Sequence, residues 1–170
     1  MNLLDLPPLR RVRQNHAVEH ATITLLMARE YAPAMVAGRS DHRGFYVFGP
    51  VDTDLLAAAV NDALRRLQRG EAELAIHPNC GTNLVTTGAM AGLAAFAATT
   101  IGRLRHSSLL DRVLSAVLAA TVAVIASRPV GLRLQRDVTT LADVGNLRIA
   151  AITRRQIGSG VIHWVQTSHD

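Results

Sequence analysis

Two long apolar runs lie in the middle of the chain. The first, Leu84 to Ile101, consists almost entirely of Ala, Leu, Val, Gly and Thr. As a helix it would span about 27 Å, which is close to the thickness of the hydrocarbon core of a bilayer. The second, Val113 to Ser127, is shorter, but Leu109 and Leu110 could extend it by one turn. A short polar loop joins the runs, so the pattern predicts a two-helix transmembrane hairpin over residues 84–127.

Small residues recur at helical spacing in both runs. Gly88 and Gly92 form a GxxxG pair, and Ser115, Ala119 and Ala123 make a stripe in the second run. Small side chains let helices approach closely in lipid, so these faces predict close packing within the hairpin. Two alternatives remain. The hairpin could be the buried core of a soluble protein, or it could pack between the subunits of a soluble homo-oligomer.

The segments that flank the hairpin, 1–83 and 128–170, show helical and strand periodicities. We expect one helix from about Arg11 to Tyr31, ended by Pro33, and a second from Thr53 to Arg69. Asp52 is a suitable N-cap for the second helix, and Gly70 is suited to end it. Its predicted buried stripe consists of Leu56, Ala59, Val60, Ala63, Leu64 and Leu67.

Five short segments have the composition of strands. MVAGRSD and GFYVFG flank a turn near His42–Gly44, ELAIH ends at His77, and LRIAAIT and VIHWVQT are joined through Gly158–Gly160. The predicted fold class is therefore α+β, in which a small cytoplasmic α+β domain is interrupted by the two-helix transmembrane hairpin. The domain boundaries follow: 1–83 and 128–170 for the α+β domain, and 84–127 for the hairpin.

The charge of the chain is carried by arginine. The net charge is +5, the sequence contains no Lys, and only 4% of the residues are aromatic. The sequence shows no aromatic-plus-basic cluster and no Gly-rich phosphate loop, so we expect a lipid bilayer and no nucleic acid as partner. More arginines flank the outer ends of the hairpin than its loop, which predicts cytoplasmic termini. The outer ones are Arg65, Arg66, Arg69, Arg128, Arg133 and Arg136; those near the loop are Arg103, Arg105 and Arg112.

The first helix contains the sequence NHAVEH, with His16 and His20 four residues apart and Glu19 beside them. Residues four apart lie on one helix face, where two imidazoles can bind one ion. This H-x-x-E-H order is the inverted zincin motif, in which the carboxylate acts as general base. The plainer interpretation is a polar helix face without a metal.

A third ligand is available in HPNCGTN, which contains His77 and Cys80, the only cysteine of the chain. Imidazole and thiolate are both good zinc ligands. Alternatively, His77 is an ordinary strand-end residue and Cys80 a small buried hydrophobe, or the two form a Cys–His nucleophile pair. We expect His42, His106 and His169 to be solvated, and His163 to lie on an exposed strand edge. His42 remains an outside candidate for the site, because Asp41 precedes it.

The order of these motifs resembles a known family. NHAVEHATI, HPNCGTN, the hairpin and PVGLRLQRDVTT are similar to the YqhQ-like bacterial membrane proteins of unknown function, which are described as predicted metal-dependent enzymes. The resemblance implies a bacterial inner-membrane location. It also implies a metal site formed by His16, Glu19, His20, His77 and Cys80, with Gln135, Thr139 and Thr140 as neighbours.

Two functional hypotheses follow from the sequence. In the first, the chain is a membrane-anchored zinc-dependent hydrolase, for instance a peptidase, acting on a peptide or another membrane-associated substrate. Its metal ligands are His16, His20 and one or both of His77 and Cys80, and Glu19 is its catalytic base if three protein ligands leave a position for water. In the second, four N/S ligands close a structural zinc site in a non-catalytic membrane adaptor. The metal could also be another divalent cation.

Overall fold

The computed structural model describes residues 3–28, 35–158 and 160–169, with the side chain of His169 excepted. Within these ranges the chain is an α+β protein, as predicted. The expected helix end at Tyr31 and Pro33, the position of Ser159 in the last turn and the solvation of His169 lie outside the described residues. The helices are α1 (Pro7–Met27), α2 (Thr53–Gln68), α3 (Gly81–Leu104) and α4 (Leu109–Leu134), and the strands are β1 (Ala37–Asp41), β2 (Gly44–Phe48), β3 (Leu147–Ile157) and β4 (Gly160–His169).

The chain forms two compact units. Residues 1–77 and 136–170 form the unit that contains the sheet and the helices packed on it, which we call the α/β unit although its fold class is α+β. Residues 78–135 form a helical unit. The α/β unit also contains two short 3-10 helices, Leu3–Asp5 and Ala72–Ala75. A π-helical turn, Gln135–Thr139, follows α4 and continues into the α/β unit.

The helical unit is an antiparallel pair of long apolar helices. Both are long and apolar enough to cross a membrane, and their most apolar 18-residue windows are only 6% and 0% buried. Leu93, Phe96, Leu118 and Ile125 are among the large apolar side chains that they expose. Such exposure is unlike the core of a monomeric soluble protein, whose apolar helices are covered.

The contact between α3 and α4 does not use the predicted GxxxG pair. Gly88 and Gly92 are exposed, and a Cβ added at either would meet no atom within 4 Å, so this prediction was wrong. A hydrogen bond of 2.7 Å between the hydroxyl groups of Thr87 and Ser127 joins the helices instead. Gly131 lies directly against Asn83, which shows that close approach occurs at this end of the pair.

The α/β unit contains a four-stranded antiparallel sheet in the order β1-β2-β4-β3. The sequence of β2 explains its two faces, because alternate residues of a strand point to opposite sides. Phe45 and Val47 are fully buried with Val165 of β4, whereas Tyr46 and Phe48 are only half-buried. The buried side packs against α1 and α2 and forms the core.

The second helix agrees closely with its prediction. The Asp52 carboxylate accepts hydrogen bonds from the main-chain N–H groups of Asp54 and Leu55 at 2.9 and 3.0 Å. Gly70 follows the helix with a φ of 91°, a conformation that favours glycine. All six residues of the predicted stripe are buried.

ELAIH was wrongly predicted as a strand. Residues Ala72–Ala75 form a 3-10 helix, and Ile76, which follows it, is extended. Leu74 and Ile76 donate main-chain hydrogen bonds to Glu71 and Glu73 within this short turn. Five residues with alternating polarity do not specify a strand unless an edge is available for pairing, and the observed sheet pairs its four strands without this segment.

The expectation that His163 lies on an exposed strand edge was also wrong. Strand β4 pairs with β2 on one side and β3 on the other, and His163 is fully buried on the core face opposite Val47. Its Nε2 is 3.0 Å from the hydroxyl of Thr53, at the start of α2. The alternation in VIHWVQT allows either His163 or Trp164 to face the core, and only the strand pairing decides between them.

This buried histidine predicts a dependence of stability on pH. Burial lowers the pKa of His163, the positive charge of Arg154 lowers it further, and Asp52 opposes both. Below about pH 6.5 the unfolded chain therefore takes up a proton that folded His163 resists, and the unfolding free energy decreases. We expect His163→Gln, which can still contact Thr53, to lose less stability than the wild type on acidification. Denaturant unfolding of both chains in detergent, at about pH 7.5 and 5.5, measures the difference. Identical pH dependence in both would contradict this assignment.

Candidate metal centre

His16 and His20 lie one helical turn apart on α1. Their ring centroids are 4.2 Å apart and the planes are inclined at 61°. His20 is buried with 2% of its surface exposed, while His16 is partly accessible. The predicted proximity of the two rings is therefore present in the fold, and it follows from the four-residue spacing on a helix.

The Nδ1 atoms of both rings contact main-chain carbonyl groups. His16 Nδ1 is 2.9 Å from the oxygen of Thr139, and His20 Nδ1 is 2.7 Å from the oxygen of Ala75. A carbonyl oxygen can only accept a hydrogen bond, so each Nδ1 must carry the proton. In the neutral rings Nε2 then holds the lone pair. Histidines that ligate metals in proteins usually have this arrangement, with the second nitrogen donating to a carbonyl or carboxylate.

His77 is the third imidazole of this group. Its ring centroid lies 5.9 Å from that of His20, and the ring is partly buried. Burial lowers the pKa of His77, and the positive charge that His20 can carry lowers it further. Both effects favour the neutral imidazole, which is the form that binds metals.

Cys80 belongs to the helical unit, where it precedes the first residue of α3. Its Sγ accepts a hydrogen bond from the main-chain N–H of Thr82 at 3.4 Å, so the thiol acts as the N-cap of the helix. Its side chain is buried. Only Pro78 and Asn79 separate it from His77 along the chain.

Glu19 is almost fully buried, with 4% of its surface exposed. Its carboxylate accepts a hydrogen bond from the hydroxyl of Ser40 on β1. A Cβ at Gly38 would overlap the Glu19 side chain, so the absence of a side chain at this strand position makes room for the carboxylate. Burial raises the pKa of Glu19, while the Ser40 hydrogen bond and the positive charge of His16 oppose the increase.

Polar contacts from neighbouring residues fix the position of α1. The Asn15 amide donates to the main-chain oxygen of Asp41 at 2.8 Å, and its side-chain oxygen accepts from the Thr167 hydroxyl at 2.8 Å. On the adjoining side, the Arg13 guanidinium donates to the oxygens of Asp137 and Thr140 at 3.1 and 3.2 Å. These contacts hold the helix against both the sheet and the segment that supplies the Thr139 carbonyl.

The sequence predicted some of the residues that surround the two histidines of α1. Thr139 is a neighbour of His16, as the resemblance implied, but through its main chain. Gln135 belongs to the helical unit, and Gly38, Ser40 and Asn15 were not predicted. The alternation of β1 gave a usable signal, because the core-facing positions of that strand hold a glycine and a serine where apolar residues are expected.

A family profile described as a domain of unknown function, DUF6391, matches residues 11–152. The chain belongs to the DUF6391 family. The match includes the histidines of α1, the HPNC segment and both apolar helices. It names no activity for its members, and the resemblance of this DUF6391 chain to the YqhQ-like proteins stays a prediction.

The curated proteins include a relative of this DUF6391 chain. An uncharacterised protein of Picosynechococcus sp. (strain ATCC 27264 / PCC 7002 / PR-6) is 47% identical over 96 residues, which cover 51% of this chain and 47% of the relative. The match therefore spans about half the length of each protein. No solved structure matches the chain.

Proposed function

We propose that this DUF6391 protein is a membrane-anchored, zinc-dependent hydrolase. His16 and His20 would bind the metal through Nε2, together with one or both of His77 and Cys80. The observation that carries the proposal is the pair of hydrogen bonds from the Nδ1–H groups to the carbonyls of Thr139 and Ala75. They select one tautomer in both rings and orient both lone pairs, as in known metal sites.

The chain itself limits where further ligands can come from. His77 already lies beside His20, and Cys80 follows after two residues, so its Cα lies at most about 11 Å from that of His77. Thiolate and imidazole together favour zinc over magnesium or calcium, which prefer oxygen ligands. With His16 and His20, either residue would complete a three-ligand site, and both would complete a four-ligand site.

We predict that the full-length protein, purified in detergent, binds one zinc ion. His16→Ala should weaken zinc binding by more than about 100-fold, since removing a ligand costs at least as much as removing its support. His16 is chosen because its ring is less buried than that of His20. His42→Ala, in the exposed β1–β2 turn, is the matched control and should bind zinc as the wild type does. Isothermal titration and elemental analysis provide the measurement.

The same titration on His77→Ala and Cys80→Ser identifies the remaining ligands. Loss in one variant alone indicates three protein ligands, and loss in both indicates four. If the wild type binds no metal, or if folded His16→Ala and His20→Asn retain it, the metal proposal is wrong.

Glu19 would serve as the proton acceptor of the hydrolase. A zinc ion in a site with an open position acts as a Lewis acid and lowers the pKa of a coordinated water to about 7. Glu19 lies on the same helix as both histidines, and its raised pKa makes the carboxylate a stronger base than an exposed one. Peptides and membrane-associated esters or amides are the substrate classes that such chemistry would cleave.

A second candidate function is a structural zinc site in a non-catalytic membrane adaptor. The contact with Ser40 favours it, because the hydrogen bond and the 4% exposure of Glu19 hold the carboxylate against β1. In that case the four donors would close the coordination sphere, and Glu19 would only support the helix.

Glu19→Gln separates the two candidates. For the hydrolase we expect unchanged zinc stoichiometry and a loss of turnover of about 100-fold or more, since glutamine cannot accept the proton. The control is Glu73→Gln, whose side chain is exposed, and it should retain full activity. Mixed fluorogenic peptide and ester libraries, offered to the zinc-loaded protein in vesicles, provide the readout. If the zinc-loaded wild type cleaves none of them, or if Glu19→Gln cleaves equally well, the adaptor is favoured.

We further propose that the hairpin spans a bacterial inner membrane with both termini in the cytoplasm. The exposed apolar surfaces of α3 and α4 support the spanning arrangement, and the distribution of arginines supports the orientation. The bilayer is then the first partner of this protein. Binding of nucleic acid is not expected.

Fusion reporters test this orientation. A green fluorescent protein fused after residue 170 should fluoresce, and alkaline phosphatase inserted at Ser107 in the loop should be active, because it requires the periplasm. The reverse pattern would contradict the orientation. Release of the untagged protein by sodium carbonate would contradict the spanning arrangement itself and favour a soluble oligomer.

A further inference from the structure

The sheet of the α/β unit has one covered face and one open face. Residues paired across an antiparallel sheet point to the same side. Tyr46 pairs with both Arg39 and Trp164, and all three point away from the core, on the side that we term the outer sheet face. The outer sheet face includes Arg39, Asp41, Tyr46, Phe48, Arg148, Thr153, Arg155, Ile162, Trp164 and Gln166.

An aromatic patch occupies the centre of this face. The ring centroids of Tyr46 and Trp164 are 4.4 Å apart, and those of Tyr46 and Phe48 are 6.1 Å apart. The three rings come from the two central strands and are only half-buried. Tyr and Trp have an apolar body and a polar tip, and they favour the boundary between water and an apolar phase.

Positive charges surround the patch. Arg39 on β1 and Arg148 and Arg155 on β3 are exposed on the same face, on the strands that flank the aromatic rings. The acidic residue that the register places there, Asp41 at the end of β1, accepts a hydrogen bond from the main-chain N–H of Arg43. The described part of this face is therefore cationic at its rim and apolar at its centre.

We propose that the outer sheet face binds the anionic lipid surface of the membrane that the hairpin occupies. Arginines attract anionic headgroups, and aromatic side chains enter the interfacial layer beneath them. The face combines both features in one surface. A short connection, residues 135–146, links α4 to β3, so the sheet is tethered to the membrane-spanning segment and its effective concentration at the lipid surface is high.

The arrangement of the rings favours lipid over single-stranded nucleic acid. Proteins that bind bases present separate ring faces on which successive bases stack. Here the ring of Tyr46 contacts that of Trp164 and lies near that of Phe48, so the three rings form one continuous patch. Such a continuous apolar patch suits the acyl boundary of a bilayer better than it suits an intercalated base.

This proposal rests on the proposed membrane anchorage and is independent of the metal. Trp164 is the only tryptophan of the chain, so its fluorescence reports on the outer sheet face alone. The full-length protein is reconstituted into phosphatidylcholine vesicles with or without phosphatidylglycerol. Flotation of the vesicles tests insertion separately. Quenching of Trp164 by lipids brominated near the headgroup tests docking.

We expect a blue shift and quenching of Trp164 only in vesicles that contain phosphatidylglycerol, and we expect high salt to reverse both. Arg39→Gln combined with Arg155→Gln should weaken docking about 30-fold, at about 1 kcal/mol for each arginine. Arg10→Gln combined with Arg11→Gln removes the same charge from exposed positions of α1 and serves as the control, which should dock as the wild type does.

Three outcomes would overturn the proposal. The first is an inserted protein whose Trp164 responds equally in both vesicle types. The second is a Trp164 that responds to single-stranded RNA and not to anionic lipid. The third is equal loss of docking in both double variants. If the hairpin fails to insert, the anchorage proposal is wrong, and adding the soluble protein to the same vesicles still decides whether the face binds anionic lipid.

Discussion

The hydrogen bonds from two histidines to main-chain carbonyls are the constraint on which this structure depends most. His16 and His20 are close because α1 is a helix, but a helix alone leaves the rings free to rotate and to exchange tautomers. The carbonyls of Thr139 and Ala75 remove that freedom. They also connect α1 to two segments that are distant in sequence, the turn before the first apolar helix and the turn after the second. The same contacts therefore stabilise the fold and orient the rings.

Much of the fold could be predicted because the relevant patterns are local. The N-cap Asp52 and the buried stripe of α2 follow from residues within one helix, and each was observed as expected. The two apolar helices are also local features of composition. The prediction of a strand at ELAIH was wrong because a strand requires a neighbouring strand to pair with, and the sequence does not identify that neighbour. The prediction for His163 was wrong because the alternation of side chains along a strand leaves its two faces equivalent until the neighbouring strands are known.

The sequence could predict the candidate metal ligands and the candidate base, but not the contacts around them. Spacing placed His16, His20 and Glu19 on one helix, and the composition of HPNC singled out His77 and Cys80. Their surroundings depend on contacts between distant segments, which no spacing reveals. The void at Gly38 that accommodates Glu19 is of this kind. The outer sheet face was missed for the same reason, since its aromatic residues and arginines come from separate strands and only pairing brings them together.

Both acceptors of the histidine protons are backbone atoms, and this has a consequence for how the family can vary. Any amino acid at positions 75 and 139 offers the same carbonyl oxygen, so the identity of these residues can drift without loss of the hydrogen bonds. A single insertion or deletion in either turn would shift the oxygen by about 3 Å and break them. Among relatives, the site should therefore be recognisable by the constant length of these two turns more than by their composition.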